Sequence, residues 1–231
     1  MITLHHLNNS RSQRIIWLLE TLGIEYQIKS YQRDAVTSLA PKELKKIHPL
    51  GKSPVITDGK KVIAESGLII EYLAEKYGNK SDTALNLLGD EDNRFDIKYW
   101  LHYSEGSLMP FMVMKLVFDK IKTAPMPFLV KPIANIIANK ALEAYPEPNI
   151  ANNLKYIEQH LTDASKQGQD YFCGEQLTAA DFQMIFPLEA MVAQQKNMAK
   201  SFPNIVAYVK RIHALPAYQK ALAVGGQYDY A

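Results

Sequence analysis

Ser10, Arg11 and Ser12 follow a short β-rich run, Ile2–Leu7, and precede a stretch in which Ile15, Ile16, Leu18, Leu19 and Leu22 repeat at helical spacing. A hydroxyl at that junction sits where a helix begins. As a cap, Ser10 accepts from backbone N–H groups two or three residues on, and the helix end adds positive partial charge. The same features favour an anion delivered from outside, a thiolate in particular. A thiol of pKa about 8.5 needs a shift of about two units, or about 2.7 kcal/mol, to ionise below neutral pH. A helix end with one or two hydrogen bonds supplies that amount. Simple capping is the structural alternative for Ser10, and Arg11 or Ser12 can share the role.

His48-Pro-Leu-Gly-Lys-Ser-Pro-Val55 is the second segment with chemical content. Pro54 must start a strand, lie on an edge or occupy a cis turn. In a cis turn the Val55 backbone would face outward and pair with an extended peptide. Lys52 is placed to reach a carboxylate, and His48 is a contact or an ordinary loop residue. Glu65-Ser66 precedes a further helix: Ser66 reads as its cap, or binds a carboxylate with the helix end while Glu65 binds an ammonium group. Tyr99, Tyr103, Met109, Phe111, Met112 and Met114 read as helical core, or as an adaptable apolar pocket. Thr178-Ala-Ala-Asp181 is a capping box with Asp181 buried as a structural residue. The six histidines show no metal-binding spacing, and adjacent His5 and His6 on a strand point to opposite faces. No metal site is expected.

The elements that must position these residues fall into two halves. Residues 1–80 read β-α-β-α-β-β-α: strands over 2–7 and 25–30, a helix stopped by Gly23, a short helix after Pro41, a hairpin over 54–64 turning at Asp58-Gly59, and a helix from Ser66 to Gly78. The right-handed crossover makes the first two strands parallel and the hairpin adds an antiparallel pair, giving a mixed sheet. Residues 79–88 read as a linker. The remainder, 89–231, reads as all-helical, with helices near 90–122, 126–144, 149–167, 179–194, 202–213 and 216–222, the first bent at Pro110.

Composition excludes other classes. The 231 residues are 47% apolar and 22% charged, so there is ample material for a buried core. With 26 basic and 24 acidic residues, gripping nucleic acid is not the expected work. One cysteine, Cys173, makes neither an internal disulfide nor a CxxC pair. The N-terminus lacks signal-peptide character, and no apolar run approaches the 18 or so residues of a membrane span. A cytoplasmic protein is expected.

Four segments together carry a family likeness: Ser10-Arg-Ser-Gln-Arg14, His48 to Val55, Ala64-Glu-Ser-Gly-Leu-Ile-Ile-Glu-Tyr-Leu73 and Leu177-Thr-Ala-Ala-Asp181. In this order and spacing the chain resembles the cytosolic glutathione S-transferase superfamily over nearly its whole length. Tyr31-Gln-Arg-Asp34 and Trp100 to Pro110 are most similar to its fungal and bacterial Gtt1-like subgroup. The resemblance implies a thioredoxin-like N-terminal domain, an all-α C-terminal domain and a homodimer in the cytoplasm. It implies glutathione as cosubstrate, whose thiolate attacks a small hydrophobic electrophile or reduces a hydroperoxide. It makes Ser10 the thiolate-stabilising serine, with Arg11 and Ser12 as alternates. Pro54 matches the family's cis-proline and Val55 the cysteinyl contact. Glu65 and Ser66 match the γ-glutamyl contacts, Lys52 and His48 lie near the glycyl carboxylate, and Tyr99, Tyr103, Met109 and Met112 help line the electrophile pocket. No tyrosine or cysteine follows strand one, which sets aside the chemistries that use one there. Two rival readings stand beside this: a non-catalytic binding or assembly module on the same fold, and a glutathione-dependent isomerase, which lacks its signature here.

Overall fold

The computed structural model describes residues 1–78 and 85–231, so most of the expected linker, 79–84, lies outside the described residues. The first part runs β1 (Ile2–Leu7), α1 (Gln13–Leu22), β2 (Tyr26–Tyr31), a 3₁₀ turn (Lys42–Lys46), β3 (Val55–Asp58), β4 (Lys61–Ala64) and α2 (Ser66–Tyr77). The sheet order is β2-β1-β3-β4. β1 and β2 are parallel, with Ile2 opposite Tyr26 and Leu7 opposite Tyr31. β3 is antiparallel to both β1 and β4, which makes it an interior strand.

The apolar stripe of α1 is fully buried, because the helix is covered by the sheet on one side and by helices of the second part on the other. Gly23 ends it in the left-handed region at φ 63. The hairpin loop is Gly59-Lys60, with Gly59 at φ 59, the positive φ that a two-residue loop requires at its first position. The expected short helix after Pro41 is a 3₁₀ turn instead. Only Leu44 on it is buried, packed with Leu7 and Tyr31, and one anchor does not sustain an α-helix.

The described part of the second half has α3 (Arg94–Tyr103), α4 (Met109–Thr123), α5 (Lys131–Ala144), α6 (Pro146–Lys166), α7 (Ala179–Gln194), α8 (Met198–Ser201), α9 (Pro203–His213) and α10 (Pro216–Gly225). The expected single helix over 90–122 is two. A π turn over Ser104–Leu108 separates them, and Pro110 stands in the first turn of α4, where its missing N–H costs no helical bond. The short α8 has no counterpart in the sequence pattern. Helix α7 is buried on nearly every side, and Trp17 of α1 packs on its Phe182 at 4.1 Å and edge-on against Tyr218 of α10 at 5.7 Å. The interface between the two halves is therefore a continuous apolar core.

Cys173 is buried within that core. Burial and nearby Asp181 push its thiol well above the ordinary range. An aromatic disulfide reagent is therefore expected to find no reactive thiol in the native protein and one after denaturation. Prompt native labelling would contradict this placement.

Candidate functional site

A cleft of about 310 Å³ opens where the β1–α1 loop faces α4, α7 and the C-terminal tail. Leu7, Asn9, Ser10, Arg11, Arg33, Lys52 and Ser53 line one wall. Met109, Met112, Leu116, Phe186, Met191 and Tyr230 line the other, which is mostly apolar.

Ser10 does not cap α1. The N-cap is Ser12, and its side chain makes no capping bond to the helix. The loop reaches Ser10 through Asn9 at φ 47 and closes with a bond from Gln13 N–H to the Ser10 carbonyl, 3.1 Å. Ser10 Oγ therefore accepts from Ser12 N–H at 3.2 Å and meets Ser12 Oγ at 2.8 Å. Ser12 Oγ lies 2.8 Å from His6 Nδ1, and His6 Nε2 lies 3.1 Å from the Gly225 carbonyl. A carbonyl only accepts, so Nε2 carries the proton and Nδ1 of the neutral ring accepts from Ser12. Burial lowers the pKa of His6, which favours the neutral ring, while the Gly225 bond works in the opposite direction. Ser12 is wholly buried behind Ser10, so of the two hydroxyls only Ser10 faces the cleft.

Arg11 is held by both oxygens of Glu105, at 2.9 Å each, and Glu105 also reaches the buried Arg14 at 3.3 Å. Glu105 lies in the π turn between α3 and α4. Burial lowers the pKa of Arg14 to about 10, with Glu105 opposing the shift. Both guanidiniums stack on Phe186, at 5.8 and 5.0 Å. Arg33 ties the β1–α1 loop to the segment that follows β2, bonding the carbonyls of Asn8, Asn9 and Ser38. The tail closes the end: Asn9 pairs both ways with Asp229, and Tyr230 meets Phe186 edge-on at 5.9 Å.

The other candidate residues divide. The Ser53-Pro54 bond is cis. Val55 is buried between His5 of β1 and Ala64 of β4, so no ligand can add beside it as an edge strand. The free backbone lies one step before Pro54. Ser53 lines the cleft, its N–H and C=O have no partner among the described residues, and its hydroxyl donates to the His5 carbonyl at 2.9 Å. Lys52 lines the same wall, whereas His48, with Nδ1 buried and unpartnered, lies outside it. Ser66 is the first residue of α2 rather than its cap, which is Glu65, exposed and at φ 71. Positive φ in a glutamate is uncommon. Met109 and Met112 line the cleft; Tyr99 and Tyr103 do not. The two tyrosines pack with Trp100 and Tyr156 in an aromatic cluster, and Tyr103 donates to Asn153. Arg33, Phe186, Met191 and Tyr230 joined the site from distant segments, with no local pattern in the sequence to mark them.

A four-stranded mixed sheet with α1 and α2, followed by a helical part with a cleft between them, defines a thioredoxin-like fold joined to an all-helical one. Residues 1–75 match the model of the glutathione S-transferase N-terminal domain and residues 127–223 that of the C-terminal domain. The chain is 33% identical to glutathione S-transferase 1 of Saccharomyces cerevisiae, over 99% of this chain and 98% of that one. It is 39% identical to glutathione S-transferase 3 of Schizosaccharomyces pombe, over 94% and 85%. The crystal structure of a glutathione S-transferase from Actinobacillus pleuropneumoniae is 34% identical and superposes with a TM-score of 0.76, covering 100% of this chain and 95% of that one. The chain belongs to the glutathione S-transferase family of enzymes. Glutathione is the cosubstrate of that family, and a more distant structure of the same fold, Ure2p, 22% identical, is a complex with it. No group of three potential metal ligands occurs among the described residues, and no described helix is long and apolar enough to cross a membrane.

Proposed function

We propose that this chain is a glutathione transferase whose Ser10 stabilises the glutathione thiolate for attack on small apolar electrophiles, with hydroperoxide reduction as a second use of the same thiolate. The observation that carries this reading is the position of Ser10: one hydroxyl, supported from behind by Ser12 and His6, at the meeting of a polar wall and an apolar one. In the proposed pose the tripeptide lies along the polar wall. Its cysteinyl backbone pairs with Ser53, the role expected of Val55, because Ser53 has the free backbone. Its glycyl carboxylate is near Lys52, with His48 at the margin. Its γ-glutamyl end meets Glu65, Ser66 and the start of α2. The electrophile rests on Met109, Met112 and Phe186, whose adaptable packing suits varied apolar shapes. We also propose a homodimer in the cytoplasm, and a domain division at 1–80 and 89–231, which the separation of sheet and helices in the chain supports.

Turnover of an aryl halide with glutathione tests the activity, and calorimetry tests glutathione binding. No turnover with no binding would overturn the proposal. Ser10→Ala is expected to raise the barrier by about 1–2 kcal/mol, roughly 5–30-fold in rate, the size of one hydrogen bond to an anion. An unchanged rate would move the assignment to a neighbour in the loop, first of all Arg11, which also lines the cleft.

A further inference from the structure

The reading of Ser10 leaves open where the thiol proton goes. With His6 neutral, the hydrogen-bond chain behind Ser10 has one consistent direction. His6 Nε2–H is spent on the Gly225 carbonyl, so Nδ1 is an acceptor and Ser12 Oγ–H donates to it across 2.8 Å. Ser12 then has no proton left for Ser10. Ser10 must donate to Ser12, and Ser12 accepts a second bond from Leu7 N–H at 3.2 Å. The Ser10 proton thus points inward, and towards the cleft Ser10 offers a lone pair. A hydroxyl in that state accepts from a thiol; it does not donate to a thiolate.

We propose that His6 is the proton acceptor for the glutathione thiol, reached through Ser10 and Ser12, an inference that rests on Ser10 being the thiol contact. The S–H bond breaks and its proton joins Ser10 Oγ. The former Ser10 proton passes to Ser12 Oγ, and the former Ser12 proton passes to His6 Nδ1. No electron pair leaves the chain of atoms: sulfur keeps the S–H pair as thiolate, and imidazole becomes imidazolium. Afterwards Ser10 O–H points into the cleft and donates to the thiolate. His6 Nδ1–H donates to Ser12, and the Ser12 proton has the Leu7 carbonyl at 3.2 Å as an acceptor. The protons of Ser10, Ser12 and His6 each have an acceptor in both states, which a buried relay requires.

The surroundings leave His6 free for this exchange. The charged and titratable side chains on the elements packed around β1 are committed to other partners: Arg14 to Glu105 and Gln183, Glu20 to Tyr26 and Lys220, Asp58 to Lys76 and Tyr72. His5 points to the opposite face and bonds Tyr31, over whose ring Lys29 lies. Burial disfavours the imidazolium, and the thiolate two hydroxyls away offsets that by opposite charge.

The test counts protons against thiolates. Thiolate formed on binding glutathione is read by its ultraviolet absorbance, and protons released to the buffer by calorimetry in buffers of different ionisation heat. S-Methylglutathione, which has no thiol proton, gives the release that binding alone causes. With His6 as acceptor, the wild-type protein forms more thiolates than it releases protons after this subtraction. Ser12→Ala cuts the relay and is expected to release one proton for each thiolate it still forms. One proton per thiolate in the wild-type protein would overturn the relay while leaving Ser10 in place. No thiolate on binding would overturn both the relay and the proposed role of Ser10. The decisive count is made on the unaltered chain, so it does not depend on a variant folding.

Discussion

Replacing Asp181 with Ala is expected to lower the unfolding free energy by about 3–5 kcal/mol, the range for removing one partner from a buried charged network. The side chain has no exposure at all and accepts four bonds: Phe172 N–H at 2.9 Å and Tyr208 Oη–H at 3.1 Å on one oxygen, Thr178 N–H at 2.8 Å and Thr178 Oγ1–H at 3.0 Å on the other. Each donor is buried with it, so alanine leaves four groups without water or partner. Burial pushes the Asp181 carboxyl up and these bonds pull it down. Asp181→Asn keeps one accepting oxygen and turns the other into a donor facing donors, so it is expected to lose nearly as much. Urea denaturation of the two variants and the parent checks the size. A loss below about 1 kcal/mol for alanine, the value of a single ordinary hydrogen bond, would remove Asp181 as the organiser of the loop before α7.

The second large effect is expected from Glu105→Ala, about 2–3 kcal/mol. Arg14 is wholly buried, and Glu105 is the only carboxylate in ion-pair contact with it among the described residues. Removing the carboxylate leaves a buried cation with Gln183, at 2.6 Å, as its remaining side-chain acceptor. The upper part of the usual range for an orphaned buried charge is not reached, because Glu105 is itself a third exposed and partly screened. Arg14→Met removes the cation instead, leaves the carboxylate bonded to Arg11, and fills the space with an apolar chain. It is expected to cost less than Glu105→Ala. Thermal melts of both variants decide the order, and the reverse order would show that the packing of Arg14, not its charge, is what Glu105 serves. Glu105→Ala also frees Arg11 at the cleft mouth, so its effect on turnover will exceed that of Arg14→Met at equal folded fraction.

Much of the fold was legible along the chain because its signals are local. The stripe from Ile15 to Leu22 and its Gly23 stop marked α1, the Asp58-Gly59 signal marked the hairpin, and Thr178 with Asp181 marked the start of α7 to the residue. Helix boundaries were less legible where the rule is not local. Nothing between Tyr103 and Met109 announces a π turn, and the two arginines that Glu105 meets from it lie 94 and 91 residues earlier. Tyr99 and Tyr103 read from the sequence as core or pocket, because aromatic rings serve either equally well; the position of Tyr156 and Asn153 on α6 gathers them into an aromatic cluster outside the cleft, with Tyr99 still exposed.

The sequence by itself determined the class: two halves with different periodicities, a hydroxyl-bearing loop after the first strand, and one cysteine too deep in the chain to belong to that loop. These follow from residue type and spacing, which act over a few neighbours. The tertiary structure decided which atoms face the cleft. It made Ser53 rather than Val55 the residue with a free backbone, because β3 is an interior strand with neighbours on both sides. It set Ser12 behind Ser10 and His6 behind Ser12, and fixed the tautomer of His6 with a carbonyl from Gly225, 219 residues away. A hydrogen bond has a direction only when both partners are in place, and partners that far apart meet only once the chain has folded.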